Sequence, residues 1–180
     1  NFRFNWFTFR RAYDYDDFND NTISNAWTFI NGNWVEEGGV LKQTSTSEQD
    51  PKKAILSNAN FSQTTNYTIM AKVRVQNWTD NWRINDDMAR AGVGLFTDSN
   101  NGQGYNLLFH QTNNRVQFLD DMRGWSTEFQ YRWYENVWYW FKLKSEGQKL
   151  YGKIWQEGYS EPSSWLFEYT FDNPRTGYPS

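Results

Sequence analysis

Tyr67-Thr68-Ile69-Met70-Ala71-Lys72-Val73-Arg74-Val75 alternates its side chains over nine residues. An extended chain turns successive side chains to opposite faces, so Tyr67, Ile69, Ala71, Val73 and Val75 share one side. That is the pattern of a half-buried strand. Working outward, residues 91–97, 105–110 and 115–119 repeat it. Asp98-Ser99-Asn100-Asn101-Gly102 and Thr112-Asn113-Asn114 separate them and read as hairpin turns. Residues 138–144 turn at Glu146-Gly147-Gln148 into 150–155, and 165–171 close the set. Upstream, shorter strands are expected near 17–18, 27–30, 33–36, 40–44 and 54–57. No apolar stripe at helical spacing runs for ten or more residues. The chain therefore predicts an all-β fold, an antiparallel two-sheet β-sandwich of jelly-roll type.

Length and composition agree with that reading. The 180 residues suit one domain. Aromatic residues make up 20%, yet the mean hydropathy is −0.91. So many rings can bury a core, which excludes a disordered chain. No apolar run of membrane-spanning length exists, so no membrane insertion is expected. The net charge is −3, without a basic block, which argues against nucleic acid and anionic lipid. There is no cysteine, so disulfide, zinc-thiolate and thiol chemistry are excluded. No signal-peptide pattern stands at Asn1. The expected location is extracellular or at the cell surface, any export signal having been removed.

Asp16-Asp17-Phe18-Asn19-Asp20, Trp27 and Gly32-Asn33-Trp34-Val35-Glu36-Glu37-Gly38-Gly39-Val40-Leu41-Lys42 resemble the opening of the concanavalin A-like, laminin-G-like jelly-roll domains. Such domains are found on secreted glycosidases and microbial surface proteins. Ala91-Gly92-Val93-Gly94-Leu95-Phe96 with Gly104-Tyr105-Asn106-Leu107 is similar to their central hairpin, and 138–143 with 152–155 and 161–165 to their last hairpin. The resemblance covers roughly residues 16–172. It implies a strand after Phe171 that closes the sandwich, but residues 173–180 do not carry its pattern.

A strand of that kind stands instead at the front. Phe2, Phe4 and Trp6 alternate with Arg3 and Asn5 within residues 1–11. The expected organisation is this closing or donor strand followed by one sandwich over 12–180. The strand can insert in its own sandwich, or fill the groove of another copy and build a filament by donor-strand complementation. The sequence leaves both open.

Three chemistries follow. The oxygen-rich turn around Asp16 and Asp17 suits a structural calcium ion, a site the resemblance also implies; the alternative is a solvated acidic turn. Residues 77–90 form a long polar connection carrying Trp78, Trp82, Arg83 and Asp86. Indole rings beside Asp and Arg suit carbohydrate, because the ring covers the C–H face of a sugar and the polar groups take its hydroxyls. Trp125 and Trp133 repeat that mix. The alternative is that these rings are core. Carboxylates at Asp120, Asp121, Glu128, Glu157 and Glu161 offer candidates for glycoside hydrolysis, but the paired run of catalytic jelly rolls is missing. The leading expectation is a non-catalytic extracellular carbohydrate-binding or adhesion domain with a polysaccharide or glycan as partner. A self-associating filament subunit and a glycoside-active enzyme are the alternatives.

Overall fold

The computed structural model describes the backbone of residues 2–3, and residues 15–45, 51–57, 61, 65–77, 90–110, 114–172 and 175–180. Every regular element among them is a strand: β1 Phe2–Arg3, β2 Trp27–Ile30, β3 Trp34–Glu37, β4 Val40–Gln43, β5 Lys53–Leu56, β6 Thr68–Val73, β7 Arg90–Leu95, β8 Tyr105–His110, β9 Arg115–Asp120, β10 Trp125–Gln130, β11 Tyr139–Glu146, β12 Lys149–Gln156 and β13 Phe167–Thr170. One sheet runs β13-β12-β11-β6-β1-β4-β3; a second runs β10-β9-β8-β7; β2 and β5 pair apart. All pairings are antiparallel.

The quoted stretch lies at the centre. Ile69, Ala71 and Val73 of β6 are buried, together with Tyr139, Phe141 and Leu143 of β11. They meet Leu107 and Phe109 of β8 and Val116 and Phe118 of β9 from the opposite sheet. Phe109 centres this layer, stacked on Trp133 at 4.5 Å and edge-on to Phe141 at 4.7 Å. Each such side chain stabilises the fold by roughly 1.5–3 kcal/mol on burial. A smaller core of Phe18, Trp27 and Leu41 lies beneath β2 and β4.

Residues 178–180 join the two smaller sheets. Gly94 N–H donates to Ser180 O at 2.6 Å and Ser180 N–H returns to Gly94 O at 3.0 Å. Thr97 and Tyr178 exchange a similar pair, and Leu56 N–H of β5 donates to Pro179 O at 3.0 Å. The second layer of the sandwich is therefore β10-β9-β8-β7, then this segment, then β5-β2. Gly94 is fixed by the close approach, since a Cβ there would stand 2.4 Å from Ser180 Oγ.

Three differences from the sequence reading have physical causes. The C-terminal residues carry no alternation, yet 178–180 pair through backbone hydrogen bonds, with Ser180 Oγ also 2.8 Å from Thr97 Oγ1, and side-chain patterning does not report such pairing. Residues 17–18 form no strand: Phe18 has φ 55°, and Asp16 Oδ1 accepts its N–H in a tight Asx turn. Strand β10 is an addition, and its largely exposed side chains gave no two-fold apolar signal. At the other end, Phe2 pairs with Leu41 and Val73, and Arg3 with Lys72, so β1 lies between β4 and β6 of its own chain. Phe4 and Trp6 lie outside the described residues.

Candidate functional site

The face of the β7–β10 sheet turned away from the core is polar. Pairing sets Gly94, Asn106, Leu119 and Ser126 in one cross-strand row, and Gly92, Leu108, Gln117 and Glu128 in the next. Arg90 and His110 begin a third. Asn106, His110 and Gln117 are buried despite their polarity. Buried polar groups need partners, and these have them. Arg90 Nε donates to Gln117 Oε1. Arg115 Nη1 donates to Glu128 Oε2 at 2.5 Å, and His110 Nε2 lies 3.9 Å from the other oxygen of that carboxylate.

Beside this face opens a cleft of about 550 Å³. Its walls include Trp34 of β3, Lys53 of β5, Arg90 and Gly92 of β7, and Asn106 of β8. One network spans it. Lys53 Nζ donates to Asn106 Oδ1 at 2.9 Å and to Asp121 Oδ2 at 3.0 Å; Asn106 Nδ2 donates to the same Asp121 oxygen at 2.8 Å. Trp34 stacks on Phe29 at 5.4 Å and donates its indole N–H to Asn31 O at 2.8 Å, which fixes the ring at the cleft wall. A rigid indole, two cations, an amide and a carboxylate thus converge on one concave space, the usual form of a small-ligand site.

The residues expected from sequence are distributed unevenly. Trp78, Trp82, Arg83 and Asp86 lie outside the described residues. Trp125, at the start of β10, is 43% exposed and stacks on Tyr169 at 5.0 Å, leaving one ring face to solvent. Trp133 is 0% exposed and donates its indole N–H to His110 O at 3.1 Å. That is a correction: its ring is core and offers no face to a sugar. Asp16 accepts from Phe18 N–H at 3.0 Å and from the Trp27 indole at 2.8 Å, while Asp17 accepts from Asn19 N–H at 3.2 Å. Among the described residues no three His, Asp or Glu side chains gather around a metal position. Asp16 thus has both oxygens, and Asp17 one, engaged by N–H donors of their own turn and of Trp27.

Each candidate catalytic carboxylate is tied to a cation. Asp120, fully buried, accepts from Arg175 Nη1 and from Tyr169 OH, both at 3.2 Å. Asp121 holds Lys53, and Glu128 holds Arg115. Burial alone would raise Glu161, but hydrogen bonds from Lys153 and Lys142 outweigh it and hold its carboxyl below the usual carboxylate range. That is unsuited to a general acid.

Sequence reasoning missed Lys53 and Asn106. Asn106 had a weak signal, a polar side chain between Tyr105 and Leu107 on the face opposite those two apolar side chains. Lys53 had none, because its partners lie 53 and 68 residues away.

No family model and no curated protein sequence matches the chain. Among solved structures it is similar to a carbohydrate-binding module, CBM66 from Bacillus subtilis, at 14% identity and a TM-score of 0.60. The match covers 86% of this chain and 84% of that one. What the two share is the fold. At that identity the likeness establishes an antiparallel β-sandwich. No helix among the described residues is long and apolar enough to cross a membrane.

Proposed function

We propose that this protein is a non-catalytic, extracellular carbohydrate-binding domain of concanavalin A-like descent, with its ligand held in the cleft beside the β7–β10 sheet. The observation that carries this is the convergence of the Lys53–Asn106–Asp121 network with the Trp34 ring on a cleft of about 550 Å³. A sugar needs both parts. Its hydroxyls alternate donor and acceptor character, which the ammonium, amide and carboxylate answer in a fixed arrangement. Its C–H face is apolar and lies against indole at low entropic cost. The neighbouring fold supports the reading, since that module binds carbohydrate by its name. The ion-paired state of the carboxylates supports binding over hydrolysis. Trp125, singled out from sequence, extends the proposal as an outlying contact.

The test is a glycan array with the full chain, followed by titration of a bound glycan against Trp34→Ala and Asn106→Ala. A lost ring contact is worth on the order of 1–3 kcal/mol, so Trp34→Ala is expected to weaken binding about 5- to 150-fold. A glycan bound equally well by both variants would move the site elsewhere. An array without a binder would remove the function.

A further inference from the structure

The outer face of the seven-stranded sheet carries a second constellation, remote in the sequence from the cleft network. On β6, β11 and β12, every outward position from 68 to 74, 138 to 144 and 151 to 155 is cationic, aromatic, Thr or Met. No acidic residue stands among them, although the chain as a whole has a net charge of −3. The pairing orders them into cross-strand rows. Arg74 lies over the Trp138 ring at 4.6 Å. In the next row Lys72, Trp140 and Trp155 stand side by side, the two indoles nearly parallel at 19° and 6.1 Å apart. The third row sets Met70, Lys142 and Lys153 together, with Lys153 Nζ 4.4 Å from the Trp165 ring. The fourth sets Lys144 and Tyr151 beside Glu168 of β13, which pairs with Lys149 at the edge of the face. Rows two residues apart are separated by about 7 Å, so the track runs for about 20 Å.

The acidic groups that touch this track come from its margins. Glu157, just after β12, pairs with Lys72. Glu161, in the connection to β13, pairs with Lys142 at 2.9 Å and Lys153 at 2.7 Å. Glu146, at the end of β11, pairs with Lys144 at 2.8 Å. The pairs made by Lys142 and Lys144, whose side chains are 26% and 28% exposed, are weak and exchange readily, whereas Lys72 and Lys153 are buried and stay paired. A cation on each row beside a ring is the complement of a chain that offers both a flat C–H face and a regularly spaced anion.

We propose that this face is a binding surface for an acidic, uronate-bearing polysaccharide. The ligand's carboxylates displace Glu161 from Lys142 and Glu146 from Lys144, while its sugar rings lie against Trp138, Trp140 and Trp165. A nucleic acid is the poorer occupant. Both polymers carry one anion per residue, but each uronate ring also keeps free hydroxyls that can donate to the marginal glutamates, which a DNA strand lacks.

The experiment uses the full chain in native gels containing polygalacturonate, or the same backbone with its carboxyls methyl-esterified, with affinities then measured by titration calorimetry. Retardation is expected with polygalacturonate, falling as salt is raised, and none is expected with the ester. Lys142→Gln/Lys144→Gln is expected to lower the affinity about tenfold while leaving the melting temperature and any neutral-glycan binding in the cleft unchanged. Equal retardation by acid and ester overturns the proposal without any variant, and so does a double variant that binds polygalacturonate like the parent. A poly(dT) strand bound as tightly as polygalacturonate would assign the face to nucleic acid and overturn it as well. The cleft reading stands or falls separately, on neutral glycans and on Trp34→Ala.

Discussion

Replacing Trp133 by Ala tests the division between core and surface indoles on which the binding proposals depend. The ring is 0% exposed, stacks on Phe109 at 4.5 Å, and donates its N–H to His110 O at 3.1 Å. Truncating a buried Trp costs about 3–5 kcal/mol in transfer and cavity terms. Leaving the His110 carbonyl without its donor adds about 1 kcal/mol. For 180 residues the unfolding entropy is about 0.4 kcal/mol/K. A loss of about 5 kcal/mol then lowers the melting temperature by about 13 °C. Trp125→Ala is the matched control. That ring is 43% exposed and touches only Tyr169 and the edge of Phe118 among the described rings, so its loss costs about 2 kcal/mol, about 5 °C. Both are read by calorimetric melting and urea titration, neither of which relies on indole fluorescence. A Trp133→Ala protein as stable as Trp125→Ala would refute the placement of Trp133 in the core.

Other perturbations probe separate parts of the molecule. Burial, with Asp20 beside it, holds the Glu36 carboxyl above its ordinary value of 4.5, and the neighbouring Asp16 charge adds to this. The folded protein therefore keeps a proton that the unfolded chain releases, so this contribution to stability is present below the ordinary value and is lost as pH rises through the raised one; Glu36→Gln is expected to flatten that slope in melting measured across pH, and an unchanged slope would show that Glu36 is not its source. Gly94→Val crowds residues 178–180, because a Cβ would stand 2.4 Å from Ser180 Oγ and 2.9 Å from Asn106 Oδ1 and the branched methyls reach further; faster amide exchange at Leu56 and Thr97 is expected, and full protection there would show that the serine side chain alone gives way. Asp120→Ala strips the acceptor from Arg175 and Tyr169 and is expected to cost about 3 kcal/mol or more in urea titration; a loss under 1 kcal/mol would mean the network is not stabilising. Adding a chelator is expected to leave the melting curve in place, and a fall of several degrees would assign calcium to the turn at Asp16 and Asp17.

The fold class was legible because a strand reports its own burial locally. Alternation over 67–75, 105–110 and 138–144 sends every second side chain into one core, and Asn/Gly clusters mark where the chain turns. Those signals operate over a few residues, and they were enough for an antiparallel sandwich. They fail where pairing rests mainly on the backbone, as at residues 178–180, and where a strand buries little, as in β10. The indoles show the same limit. Nothing local separates Trp133 from Trp125; only the packing of Phe109 above one and solvent above the other decides which is core. The cleft is further still from the sequence, because Lys53, Asn106 and Asp121 come from three segments. The Trp and Lys rows of β6, β11 and β12 are also a product of register, since pairing Lys72 with Trp140 and Trp140 with Trp155 is what turns scattered alternation into one cationic, aromatic face. The sequence determined which side chains leave the core, because strand periodicity is a property of adjacent residues. The tertiary structure decided which of them meet, because that depends on loop closure and sheet register across the whole chain.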